Sequence, residues 1–443
     1  MTIARETYLD LLKELVAIPS VSAKREHLPE AANLIADALT ELGGETTVDD
    51  HYFAPLVISL FKSQKQNAKT LIIYNHYDVQ PAEPFDLWKS DPWTLTEREG
   101  HLYGRGVDDD KGNITARLTA LAEYLDENKG ELPVNILFVI EGSEETASQH
   151  LDDYFKEHPE IQGDLIIWES GSKDKDGRVV LTGGNKGIVT FNLKAKTGGI
   201  DLHSSLATVV DSAPWRLSQA LATFFSTDGR IKVLHFYDQV KEPNQRERKL
   251  VNLLSDTKED FIKKNQIEAP LLTDKRGDDW KQALYFEPSL NIEGITTGYQ
   301  GAGVKTVLPA EATAKVEARL VPGMDPDKTL TTIKEHLVAQ GFEDIEVEKT
   351  LGQGGYRSDM TNPEIERVIN VSKQETGEDP VVIPTSAGTG PMNYAYEATG
   401  TPIIALGIGY PGTLDHAPNE NIRLKDYDEN VEFLKAIIAS YKE

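Results

Sequence analysis

Thr70–Pro81 reads TLIIYNHYDVQP, and Gly100–Gly112 reads GHLYGRGVDDDKG. The first stretch is an apolar run that stops abruptly on Asn75, His76, Tyr77 and Asp78. Such a run reads as a buried strand carrying polar groups at its carboxyl end, where open α/β sheets place their sites. The second stretch is a glycine-punctuated turn with three consecutive aspartates, Asp108, Asp109 and Asp110. Adjacent acids repel one another unless cations or basic groups sit among them. Together the two stretches point to a metal centre at the edge of a sheet.

The same pattern recurs outward along the chain. Pro133–Ile140 (PVNILFVI) runs into EGSEE, Asp164–Trp168 (DLIIW) into Glu169, and Pro402–Leu406 (PIIAL) into a glycine-rich loop followed by DHAPNE. Helices are expected over residues 7–18, 29–42 and 113–125, the second stopped by Gly43 and Gly44. From Gly187 the character changes to alternating apolar and polar residues (IVTFNLKAK), as in a half-exposed antiparallel strand. AKVEARL at 314–320 and DIEVE at 344–348 continue it, residues 212–225 read as a helix, and 241–281 is a charged excursion without a clear pattern. The expectation is an α/β protein with two domains. A mixed-sheet catalytic domain spans residues 1–187 and 354–443, and an inserted α+β domain spans 188–353.

At 443 residues the chain exceeds one compact core, and 39% hydrophobic content supports ordinary folding. A formal charge of −26 argues against nucleic acid or an anionic membrane surface as partner. Cysteine is absent, so any metal must be held by nitrogen and oxygen. The opening MTIARETYLDLLKELVAIPS has neither a basic leader nor a long apolar core, and no stretch approaches a bilayer span. The cytoplasm is the expected compartment.

His76, Asp109, Glu145, Glu169 and His416 form the set that two divalent ions bridged by one carboxylate would require. A lone histidine or aspartate turn is ordinarily a hydrogen-bonded surface feature; it is their recurrence at successive strand ends that favours metal. Asp78, two residues beyond His76, is placed to accept that ring's other proton. Neighbouring Glu144 and Glu145 point in different directions, so one can hold metal while the other faces a water as general base. Gly407, Gly409 and Gly412 match G-x-G-x-x-G, but no helix or βαβ unit follows, and a dinucleotide site is not expected.

With these residues in place, the chain resembles the dinuclear metallopeptidases that include carnosinase-type cytosolic dipeptidases, carboxypeptidase G, acetylornithine deacetylase and succinyl-diaminopimelate desuccinylase. The blocks that carry the resemblance are NHYDVQP, LYGRGVDDDKG, EGSEE, DLHSS, NIEGI, KTVLP, ARLVPGM and DHAPNE, in family order. NIEGI, KTVLP and RLVP look most like the carnosinase-type branch. The resemblance implies that His76, Asp109 and Glu169 hold one metal and Asp109, Glu145 and His416 the other, with Glu144 as general base and Asp78 orienting His76. It implies a cis peptide between Asp109 and Asp110. It also implies that the inserted domain is a ferredoxin-like lid that forms a homodimer. There His203 polarises the scissile carbonyl, and Arg319 binds the substrate carboxylate with help from Thr306 and Thr389. Glu169 stands where the carnosinase-like branch often has Asp, which leaves substrate choice open.

The implied function is metal-dependent hydrolysis of dipeptides or small peptides with a free C-terminal carboxylate, through a metal-bridging hydroxide, with Glu144 as the general base that takes the proton of the parent water. The alternatives are an N-acyl amino acid amidohydrolase and a catalytically silent binding protein on the same fold. Zinc is the expected metal, with manganese or cobalt also suited to an all-N/O site.

Overall fold

The computed structural model describes residues 2–442, which fall into two compact units. The first comprises residues 1–184, 358–384 and 394–443, and the second 185–357 and 385–393. The second unit therefore takes in residues 385–393, which the sequence pattern groups with the catalytic region. The reason is backbone pairing: Ser386–Thr389 lies parallel to Gly184–Lys196.

The first unit is built on an eight-stranded mixed sheet. Its order is Glu45–Asp49, Leu56–Phe61, Asn135–Glu141, Thr70–His76, Leu165–Trp168, Ile403–Ala405, Val180–Thr182 and Val381–Ile383. The four central strands, Asn135–Glu141 through Ile403–Ala405, are mutually parallel. They are buried almost throughout, as strands covered on both faces must be, and this is why they read as unbroken apolar runs. Parallel register brings their carboxyl ends to one edge: His76 pairs with Glu141, and Trp168 with Ala405. The helices Ile3–Ala17, Lys111–Glu127, Leu424–Ala439 and Pro363–Thr376 pack in sequence on one another.

One buried cation ties this edge together. Arg117, 1% exposed on the helix Lys111–Glu127, donates through Nη1 to Tyr74 O (2.5 Å) and Asn75 Oδ1 (2.7 Å). Its Nη2 donates to Trp168 O (2.8 Å) and Leu406 O (3.1 Å). One backbone carbonyl and one side-chain amide oxygen near the end of one strand, and carbonyls at or just past the ends of two others, thus share a single guanidinium.

The second unit carries a six-stranded sheet. Four strands, Ser289–Thr297, Glu311–Leu320, Gly184–Lys196 and Glu346–Gln353, form its antiparallel path, and short strands Tyr356–Arg357 and Ser386–Thr389 pair on Gly184–Lys196. Alternation along Glu311–Leu320 puts Ala314, Val316 and Ala318 into a core with Phe191, Leu193, Leu217 and Ile333. The excursion after Lys241 folds into the short helices Gln245–Asn252, Lys258–Lys264, Leu272–Arg276 and Trp280–Phe286. Capping boxes at Asn244/Glu247 and Thr257/Asp260 start the first two. A buried Arg357–Glu247 ion pair (3.2 Å) anchors the segment within this unit. Among the described residues, no helix is long and apolar enough to cross a membrane.

Candidate metal centre

The sheet edge of the first unit gathers His76, Asp109, Glu145, Glu169 and His416. Asp109 lies at the middle: its Oδ1 is 3.0 Å from His76 Nε2 and its Oδ2 is 2.9 Å from His416 Nε2. Glu169 Oε2 is 4.0 Å from His76 Nε2, and Glu145 Oε2 is 3.2 Å from His416 Nε2. One carboxylate therefore offers an oxygen to each of two imidazoles, and each imidazole has a second carboxylate beside it. The peptide bond between Asp109 and Asp110 is cis, as the resemblance implied. His416 sits in the left-handed region at φ 58°, a conformation that costs a non-glycine residue energy and concentrates at functional sites.

Asp78 is more than a partner for His76. The His76 Nδ1 atom lies 3.0 Å from the Asp78 backbone oxygen and 3.3 Å from its Oδ1. The Asp78 carboxylate also accepts from the backbone N–H groups of Glu144 and Glu145, each at 3.1 Å. It thus fixes the acidic pair to the strand that carries His76, and leaves the Nε2 of His76 turned toward Asp109.

Several contributing residues carry no signal of their own in the sequence. Gln80 Nε2 donates to Glu145 Oε2 (2.8 Å), and Trp168 Nε1 donates to Glu169 Oε1 (2.9 Å). Asp110, buried, accepts through Oδ2 from Asn75 Nδ2 (2.5 Å) and from the His76 N–H (3.2 Å). Its position beside His76 and Glu169 makes these three a second convergent donor group, next to Asp109, Glu145 and His416. Only the run of three aspartates hinted at Asp110, and the hint did not separate its members.

The electrostatics fit a cation. Burial disfavours a charged ring at His76, yet Asp109, Asp78 and Glu169 outweigh it and drive the imidazole well above its ordinary value. Asp109 and Glu145 push His416 up to about 10 against partial burial. Burial raises Asp109, but His416 and His76 reverse this and hold it below the carboxylate range. Burial pushes Glu144 up to about 8, opposed by His76 and reinforced by Asp109, Glu145 and Asp78. Two buried carboxylate oxygens here, Asp110 Oδ1 and Glu169 Oε2, have no hydrogen-bond partner. Unpaired buried acceptors are costly, and a divalent cation among these atoms would satisfy them and pull the carboxylates back to the charged form. Donor set and geometry therefore fit divalent metal ions held by nitrogen and oxygen.

In the second unit, His203 and Thr306 are both exposed and adjacent, since His203 pairs with Val307 and the Ser204 N–H donates to Thr306 O (3.2 Å). The His203 ring lies 2.9 Å from Ser205 Oγ. Arg319 Nη1 donates to Thr389 Oγ1 (2.7 Å), while its Nε donates to Glu317 Oε1 (2.9 Å).

A carboxylate shared by two imidazoles, with unsatisfied acids around it and Glu144 alongside, fits a metal-dependent hydrolase. Residues 72–440 match the profile of Peptidase family M20/M25/M40, and the chain belongs to that family. It is 29% identical over 448 residues to the Beta-Ala-His dipeptidase of Mus musculus, covering 96% of this chain and 90% of that one. To the Cys-Gly metallodipeptidase dug1 of Schizosaccharomyces pombe it is 29% identical over 351 residues, covering 75% and 73%. The structure of an M20 family metallo-carboxypeptidase from Sulfolobus solfataricus superposes with a TM-score of 0.87 at 33% identity, covering 98% of this chain and 99% of that one.

Proposed function

We propose that this chain is an exopeptidase that hydrolyses the amide bond of dipeptides or small peptides bearing a free C-terminal carboxylate. The observation that carries the reading is Asp109 held between His76 and His416, with Glu144 fixed beside it through Asp78. His76, Asp109 and Glu169 would hold one divalent ion and Asp109, Glu145 and His416 a second, with Asp110 adjoining the first group. Bound there, the metals would polarise the peptide carbonyl and acidify a water, chemistry open to zinc, manganese or cobalt. Glu144 would take the proton of the attacking water and return it to the leaving amine. Asp78 keeps that base in place. His203, with Thr306 beside it, would polarise the carbonyl, and Arg319, steadied by Thr389, would clasp the substrate carboxylate. A cytoplasmic homodimer formed through the second unit fits the exposed Ile292 and Ile295 on its edge strand Ser289–Thr297.

The relatives named dipeptidases support a two-residue substrate, whereas the metallo-carboxypeptidase likeness supports removal of the last residue from longer chains. The test is metal-loaded protein, with a chelated control, on free dipeptides, the same peptides N-acetylated, and longer peptides. Cleavage of free dipeptides alone gives the dipeptidase, and C-terminal trimming of the longer set gives the carboxypeptidase. Cleavage of only the acetylated set moves the chain to the deacylases, and no cleavage with metal bound leaves a binding protein. Glu144→Gln should abolish turnover while both metals stay bound; loss of metal would place Glu144 among the ligands.

A further inference from the structure

Glu420 lies four residues beyond His416 and is completely buried. Nothing in the metal chemistry above uses it, yet it is heavily hydrogen-bonded. Its Oε2 accepts from Arg105 Nη1 (2.6 Å) and the Gly106 N–H (2.9 Å), and its Oε1 from the N–H groups of Asp108 (2.9 Å) and Asp109 (3.1 Å). The Glu420 backbone oxygen accepts from the Gly104 N–H (3.2 Å), and the strand that follows, Asn421–Arg423, pairs with His101–Tyr103. Arg105 is equally buried, with Nη2 donating to Pro81 O (3.3 Å) and the guanidinium over the Trp88 ring.

These contacts have one direction. Every donor to the Glu420 carboxylate belongs to the turn Arg105–Asp109, which delivers Asp109, while Glu420 itself belongs to the loop that delivers His416. The separation of Asp109 Oδ2 from His416 Nε2 is 2.9 Å, and His416 is held in a left-handed backbone conformation and exposed. An exposed ligand on a loop needs an anchor, because a donor set is useful only while its spacing holds. We propose that Glu420, charge-balanced by Arg105, is a positioning residue that sets the Asp109–His416 spacing and hence the affinity for the metal ion those two residues share with Glu145. This rests on the metal-binding reading above. Neither oxygen of Glu420 can be replaced by an amide NH2, because each faces two donors. Glu420→Gln therefore sets an NH2 group against N–H donors in either orientation and leaves Arg105 without its countercharge.

The experiment uses the full chain, stripped with a chelator, dialysed, and titrated with Zn2+ alone against a chromophoric competitor. Thermal unfolding of the metal-free protein is followed in parallel. Wild type should bind two ions, and Glu420→Gln should bind one of them about 10- to 100-fold more weakly, the range for residues that orient metal ligands. Activity of the variant should recover as Zn2+ is raised, which a general loss of stability would not produce. Arg105→Lys keeps the charge but loses the fork, and it should shift the same ion in the same direction; it serves if Glu420→Gln does not fold. Unchanged affinity for both ions in a folded variant overturns the proposal, even if the melting temperature falls. If wild-type protein binds no Zn2+, the metal reading itself fails, and the inference goes with it.

Discussion

Replacing Arg117 with methionine keeps a long apolar stem in place and removes the guanidinium. Four acceptors then lose a donor: Tyr74 O, Asn75 Oδ1, Trp168 O and Leu406 O. A buried acceptor left unsatisfied costs about 1–3 kcal/mol, so the gross loss is on the order of 4–12 kcal/mol. Against this, the variant no longer pays for desolvating a cation, a penalty of several kcal/mol that is visible in how burial pulls Arg117 below its usual value. The loss also uncovers Asp110 and Glu169, whose charges favour a cation at this position. The expected net destabilisation is about 3–5 kcal/mol, typical of removing one member of a buried charged network. At about 2–4 °C per kcal/mol for a domain of this size, the melting temperature should fall by roughly 6–20 °C. Differential scanning calorimetry of metal-free wild type and Arg117→Met measures it. A fall below about 2 °C would show that the strand ends find other donors, and the account of this edge as held by one cation would be wrong.

Other consequences are as direct. Asp109→Asn should reduce bound metal measured by mass spectrometry toward zero, because one residue faces both imidazoles; retention of two ions would remove Asp109 from the ligand set. Gly106 has φ +80°, and a Cβ there would lie 2.5 Å from Val79 Cγ1, so Gly106→Ala should destabilise by about 1–3 kcal/mol in urea unfolding, and a neutral result would contradict the backbone geometry. Lys186 is buried and donates to Glu287 O (2.6 Å); burial pulls it down to about 8 from 10.5, opposed by Glu287 and aided by Arg319. Its native value lies below the unfolded one, so between pH 8 and 10.5 the unfolded chain holds the extra proton, and this group makes stability rise with pH across that window. The full rise is on the order of 3 kcal/mol, and Lys186→Met should flatten it in urea titrations from pH 7 to 10; identical slopes would refute the assignment.

The residues at the ends of the central strands were legible because two constraints coincide there. A strand buried on both faces strongly favours apolar residues, so the first His or Glu after Ile73, Ile140 or Trp168 marks where the sheet stops, with the candidate site residues at or shortly beyond it. The glycines 407, 409 and 412 could be dismissed as a dinucleotide motif, but their use was hidden. A Cβ at Gly407 would lie 2.5 Å from Gly171 N, so two loops pass too close for a side chain. The short helices after Lys241 escaped because a five- to eight-residue helix has too few turns to show a period, and their caps and the Arg357–Glu247 pair speak only once the fold is known.

The same reasoning separates ligands from anchors. A ligand is conspicuous because it is a polar residue where the local pattern demands none. Arg117, Gln80 and Glu420 act instead through partners tens to hundreds of residues away, and their local patterns, a helix interior or a polar loop, accommodate them without remark. Arg117 reads as an ordinary helical arginine until four acceptors in or just past three strands converge on it. Candidate metal ligands can therefore be picked out of one sequence, whereas the groups that fix their distances are visible only in the fold. Those distances decide whether the ions bind. Substitutions at Arg117 and Glu420, which touch no metal, should for that reason separate a site that is merely present from one that is held in place.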